Sequence, residues 1–158
     1  MNDKLQPGSL KSATDLLQKV RRDAGLLDEE ITSDRFFNFV VTAYSLIDWI
    51  IHDPSIPIAA KTPTEIDALR ADQWLVICGD AAIGAKHFKL TRRTPTVAKV
   101  SVISGWGIGR FGKGKFGIGE EHITVHMPDG RVFGALDLVA GVLTTWQTFF
   151  ARHGIPGA

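Results

Sequence analysis

Three groups of residues in this chain have the types and spacings that chemistry needs. The first lies in Trp74–Leu90, where Asp80, Lys86 and His87 interrupt an apolar, small-residue run. At 100° per residue, Asp80 and His87 share a sector with Ile66, Leu69, Val76, Ile77 and Gly84, the width of an ordinary core-facing stripe. An ionisable group turned toward a core needs a hydrogen-bonding or charged partner, because burial alone penalises its charge. Asp80, Lys86 and His87 are therefore candidate catalytic residues. Asp48 and His52, one helical turn apart on the preceding helix, are candidates to join them. Carboxylate–imidazole pairs on facing helices can build a metal site. Asp80 and His87, however, lie about 10 Å apart along a helix axis at 1.5 Å per residue, too far to share one ion. Satisfied core polar groups are the competing reading, and neither metal nor cofactor is expected. Gly79, Ala81, Ala82, Gly84 and Ala85 leave room for another backbone to come close.

The second group is Gly105–Gly119, GWGIGRFGKGKFGIG, with seven glycines and a near-mirror about Lys113. Such a mirror suits two arms of a hairpin. Gly107, Gly109 and Gly112 fit the letters of a dinucleotide fingerprint, but no helix follows to receive a pyrophosphate. Exposed glycine N–H groups, the cations Arg110, Lys113 and Lys115, and the rings of Trp106, Phe111 and Phe116 suit a grip on nucleic acid. A twisted connection whose aromatics cover the helical core is the alternative. Arg92 and Arg93 extend the basic surface: from Lys86 to Gly119 there are eight basic residues and no acid. Residues 1–90 hold 10 Lys/Arg against 13 Asp/Glu, and residues 91–158 hold 8 against 4, so a net charge of +1 conceals a basic second half.

The third group is His122 and His126. On a helix this spacing chelates metal; on a strand it separates the rings by about 13 Å, so they read as one exposed strand face. Cys78, the only cysteine, rules out an intramolecular disulfide and a cysteine cluster, and a reducing cytoplasm fits best. It has no expected histidine beside it, so no nucleophile–base pair can be assembled.

Local signals set the elements that must position these groups. Ser12 and Asp15 start a first helix that Gly25 is expected to stop, with Leu26–Thr32 as connector. Thr32 or Ser33 caps a second helix ending at Asp53, because the residue before Pro54 avoids helical geometry. Asn38, Thr42, Ser45, Asp48 and His52 form its polar stripe. Thr62, Pro63 and Glu65 open a third helix expected to run unbroken to about Lys89. Antiparallel packing would set Asp48 and His52 opposite Arg70–Trp74. The period then changes to two for strands at Val97–Ser104, His122–Met127 and Arg131–Gly134. Asp137 opens a last helix closed by Gly154. The expected fold is α+β, a single domain over residues 1–158. It is an antiparallel bundle of about four helices (residues 9–90 and 136–154) with a three-stranded antiparallel meander (residues 95–135) before the C-terminal helix. Hydrophobic residues make up 44% of the chain, enough for one core. The greasiest run, Phe36–Ile51, is too short and too polar to cross a bilayer, so no membrane contact is expected.

The stretch Cys78-Gly79-Asp80-Ala81-Ala82-Ile83-Gly84-Ala85-Lys86-His87-Phe88-Lys89-Leu90, preceded by Tyr44-Ser45-Leu46-Ile47-Asp48-Trp49-Ile50, resembles small bacterial helical proteins akin to the HEPN group. Their central helix carries a pattern like C-R-D-x-A-N-x-x-K-H-x-x-L. The resemblance covers residues 34–90. It implies a helical bundle that pairs as a homodimer and serves a bacterial or phage-related defence or toxin system, acting on RNA. Gly79 stands where arginine is common and Gly84 where a polar residue occurs. The Arg-x4-6-His signature of HEPN ribonucleases is absent. The expected function is therefore a binding module contacting nucleic acid, RNA ahead of DNA, or a protein partner through the basic hairpin. A ribonuclease using Asp80 and His87, with or without metal, and a structural oligomerisation subunit are the alternatives.

Overall fold

In this computed structural model the described residues are 8, 10–86, 99–103 and 120–158, the side chains of Ala85 and Lys86 excepted. Helix α1 spans Ala13–Glu29. The Ser12 hydroxyl accepts the Asp15 N–H at 3.1 Å, and the Asp15 carboxylate takes the Ser12 hydroxyl and the Lys11 N–H in return. Gly25 does not stop the helix. A helical glycine costs about 1 kcal/mol, whereas burying a leucine contributes about 2 kcal/mol, and Leu27, beyond the glycine, is wholly buried. The connector shrinks to Glu30–Thr32.

Helix α2 spans Ser33–His52, capped by Thr32 and ended at Asp53 before Pro54, as its sequence signals require. It lies antiparallel to α1. Asp53, one residue past its end, accepts the Ala13 N–H of the first turn of α1 at 2.7 Å. Phe36, Phe39, Val40, Leu46 and Ile50 are buried along it. Thr42, in the polar stripe, is buried too: its hydroxyl donates to Asp23 at 2.7 Å and accepts from Lys19 at 2.9 Å. Thr42 thus seals against α1, while Asn38 at the upper end of the stripe and Asp48 and His52 at the lower end are exposed.

A short 3-10 turn at Ile58–Lys61 leads into α3, Pro63–Ala71, capped by Thr62. The expected unbroken third helix is two helices. Asp72 takes an extended conformation, and its carboxylate accepts the N–H groups of Trp74 at 3.0 Å and Leu75 at 3.1 Å. Such a cap restarts the chain as α4, Gln73–Lys86. Over its described residues, Ile66 to Gly84, the expected stripe is therefore not one continuous face. Instead α4 is buried on nearly every side between Leu75 and Ala82.

The three strands β1 (Lys99–Ile103), β2 (His122–His126) and β3 (Val132–Gly134) form an antiparallel sheet in that order. Ile103 pairs with His122, Lys99 with His126 and Val132 with His126. Ile123 and Val125 point into the core. By alternation Lys99, Ser101, Ile103, His122, Thr124, His126 and Val132 occupy the opposite face.

Helix α5, Ala135–Arg152, begins two residues earlier than expected: the Gly134 N–H donates to Asp137, which is the third helical residue rather than the cap. Trp146, Phe149 and Phe150 fill the core under α1 and α4. Gly154 is left-handed (φ 61°), its N–H meets the Ala151 carbonyl at 3.2 Å, and the Ile155 N–H meets the Phe150 carbonyl at 2.9 Å, a Schellman closure. The fold is α+β, with the three-stranded sheet placed before the C-terminal helix, as its sequence pattern indicates. No described helix is long and apolar enough to cross a membrane.

Candidate functional site

Asp80 sits in the middle of α4 with 5% of its surface exposed. It points inward, and it is engaged rather than orphaned. Its neighbour Gly79 backs onto α2, where a Cβ would come within 2.7 Å of the Tyr44 ring. Any side chain at position 79 would have to displace the Tyr44 ring. Cys78 is wholly buried, and burial, helped by the charge of Asp72, pushes its thiol well above the ordinary range. A thiol held neutral is a poor nucleophile. The Lys86 side chain and His87 lie outside the described residues.

Asp48 and His52 form a pair on the outside of α2. His52 Nδ1 is 3.2 Å from Asp48 Oδ1 and 2.8 Å from the Asp48 carbonyl, and both side chains are well exposed. Asp48 also lines a shallow groove of about 370 Å³ between α2 and α3, shared with Tyr44, Trp49 and Arg70. The antiparallel arrangement thus brings Asp48 opposite Arg70. Asp80 does not line that groove. Asp80 and the Asp48–His52 pair occupy different environments, one in the core and one in solvent. Among the described residues, no three of His, Cys, Asp and Glu converge closely enough for a metal ion.

A second groove, about 360 Å³, runs between α3 and α5 and is lined by Glu65, Asp72, Trp74, Gly141, Thr145 and Arg152 among others. Sequence reasoning missed it. The groove depends on the break at Asp72, whose second carboxylate oxygen accepts the Thr145 hydroxyl at 3.2 Å. It depends as well on Gly141, over which the Trp74 ring lies so closely that a Cβ would overlap it. Glu65 ties the end of α5 to α3 by accepting from Arg152 and meeting His153 Nε2 at 3.1 Å. The usable signal was Asp72 three residues before Leu75, a helix-restart pattern.

Arg92, Arg93, Trp106, Arg110, Phe111, Lys113, Lys115 and Phe116 lie outside the described residues. Their supports are described. β1 and β2, which bracket residues 104–121, pair antiparallel up to Ile103–His122. Two acids then fasten the base of β2 to the α1–α2 connector. Glu120, 2% exposed, accepts the Ile31 N–H at 3.2 Å, and the Glu121 N–H donates to the Ile31 carbonyl at 2.9 Å. The Glu121 carboxylate accepts both the Ser33 N–H and the Ser33 hydroxyl, the latter at 2.6 Å. It supplies a negative charge at the first turn of α2, where the helix dipole favours one. His122 is exposed, and His126 is half-buried with its Nε2 3.1 Å from the Thr124 hydroxyl.

The described part of the chain therefore defines a helical α+β fold with a three-stranded antiparallel sheet. Compared with family models, with curated proteins and with solved structures, the chain matches none of them.

Proposed function

We propose that this protein is a HEPN-like binding module that contacts nucleic acid, RNA ahead of DNA, through the basic, glycine-rich arm between β1 and β2. The observation that carries the reading is the acid-free run of eight cations from Lys86 to Gly119. The stem supports it: antiparallel strands hold the two ends of the arm together, and Glu120 and Glu121 fasten the base to the α1–α2 connector. A binding role is also favoured over a hydrolytic one by the burial of Asp80, since a general acid or base must reach its substrate. A single buried cysteine suits a reducing cytoplasm, and the resemblance suits a bacterial or phage-related system.

Affinity for single-stranded RNA should fall as salt rises. Replacing Arg110, Lys113 and Lys115 together by alanine should flatten the log–log slope by about 2, at ~0.7 for each phosphate no longer neutralised. Fluorescence anisotropy at several salt concentrations measures this, and absence of binding at low salt would end the proposal.

One observation favours self-association as a companion property. β1 lies at the sheet edge with Val102 and Ile103 about half exposed, and among the described residues its outer side has no strand partner. A homodimer joined along β1 predicts a mass in light scattering that doubles with concentration and returns to the monomer value in Val102→Lys.

A further inference from the structure

We infer that the groove between α2 and α3 is a site for a free α-amino acid with a large apolar side chain, its ammonium group set against Asp48 and its carboxylate against Arg70. The site lies on the helical body and is independent of the nucleic-acid reading of the arm.

The last turns of α2 build one wall. Leu46 and Ile50 are wholly buried and fix the core-facing side of the helix. On its flank Tyr44, Asp48 and Ile51 follow at spacings of four and three residues, so they form one row along the groove. Ile47, 5% exposed, and the half-buried Trp49 and Ile51 give this wall an apolar surface. The Tyr44 ring is backed by Gly79 of α4, which leaves it no room to retreat. Arg70, in the last turn of α3, stands across from this row. Groups outside the groove hold both walls: Asp53 joins the end of α2 to α1, and Thr62 caps the start of α3. A volume of about 370 Å³ lies at the small end of ligand pockets.

The polar groups at the rim are not consumed by the fold. Arg70 meets Asp67 only at 3.9 Å, with both side chains more than half exposed. One carboxylate oxygen of Asp48 is 3.2 Å from His52, and the other has no partner among the described residues. Charge complementarity then selects the ligand. A simple carboxylate drawn to Arg70 would meet the like charge of Asp48, and a simple amine drawn to Asp48 would meet that of Arg70. A zwitterion satisfies both, and mismatched charge is what rejects the other two. The guanidinium fork suits a carboxylate in particular. Between the two charges the walls are aromatic and aliphatic, so the body of the ligand must be apolar.

Isothermal titration calorimetry of the full chain with L-phenylalanine, phenylpropionate and phenethylamine is the test. A shallow groove should hold L-phenylalanine with a dissociation constant of about 1 mM and each of the others, lacking one charge, about tenfold more weakly. The preference for L-phenylalanine over phenylpropionate should disappear in Asp48→Asn, and that over phenethylamine in Arg70→Gln. Both positions are exposed, so circular dichroism should show an unchanged fold in each variant. Heats that show no saturation by about 10 mM L-phenylalanine overturn the inference. Equal affinity for the three ligands, or charge preferences that persist in the matching variants, overturn it too, and none of these results bears on the arm.

Discussion

Single side chains here act mostly by finishing backbone hydrogen bonding. Asp53 shows it best. Burial works to raise its pKa, but the Ala13 N–H, the Ser55 hydroxyl and N–H and the Lys61 charge outweigh burial and hold the carboxyl below its ordinary value. The Lys11 N–H and Ser12 hydroxyl depress Asp15, and the Arg131 N–H and guanidinium depress Asp129. A carboxylate whose folded-state pKa lies below its unfolded value stabilises the fold above that unfolded value and loses the contribution as pH falls through the folded one. Stability should therefore be flat near neutrality and decline below about pH 4, as followed by urea unfolding across the acid range. Asp53→Ala should cost about 2 kcal/mol at neutral pH, since it strips charge-assisted bonds from a buried helix start. The same variant should flatten the acid decline. Glycines give a second, opposed pair. Gly141→Ala drives a methyl into the Trp74 ring and should destabilise by about 2 kcal/mol or more. Gly25→Ala, with open space around it in mid-helix, should stabilise by about 0.5–1 kcal/mol.

Among the elements, ends marked by side-chain chemistry were legible in the sequence, and ends decided by packing were not. Ser12 with Asp15, Thr32, Thr62 with Pro63, Pro54 and Gly154 each named a helix boundary that the fold keeps. Gly25 pointed to a stop that the buried Leu27 overrode, a term visible only once α2 is in place. Asp72 was missed because a 3.6-residue apolar period runs through it unbroken on paper. Its cap wins since two backbone N–H groups and Thr145 are satisfied together. Asp80 is buried as expected, but because α4 is covered on nearly every side between Leu75 and Ala82 and not because one stripe runs from Ile66. Its separation from the exposed Asp48–His52 pair was not legible, because stagger between helices has no local signature. Asp72→Ala should cost about 1 kcal/mol and shift α4 relative to α5, seen as a change in near-ultraviolet circular dichroism from Trp74.

For the whole molecule, the uneven charge is the property with most bearing on function. Residues 1–90 carry the acidic balance, while eight cations and no acid fall between Lys86 and Gly119 along the sequence. Glu120 and Glu121, the acids that follow the basic run, accept hydrogen bonds from the α1–α2 connector and the first residue of α2. Glu121→Gln should therefore loosen the base of β2 more than it strengthens RNA binding: about 1 kcal/mol of stability lost, with a salt slope within error of wild type.

The bond from Ala13 to Asp53 joins residues 40 positions apart. During synthesis the first helix leaves the ribosome unfinished at its tip, and only the returning end of the second completes it. That one carboxylate turns two successive segments into a single cooperative unit, so the Ala13 amide should exchange its hydrogen as slowly as the helical hairpin opens, not as quickly as a frayed end.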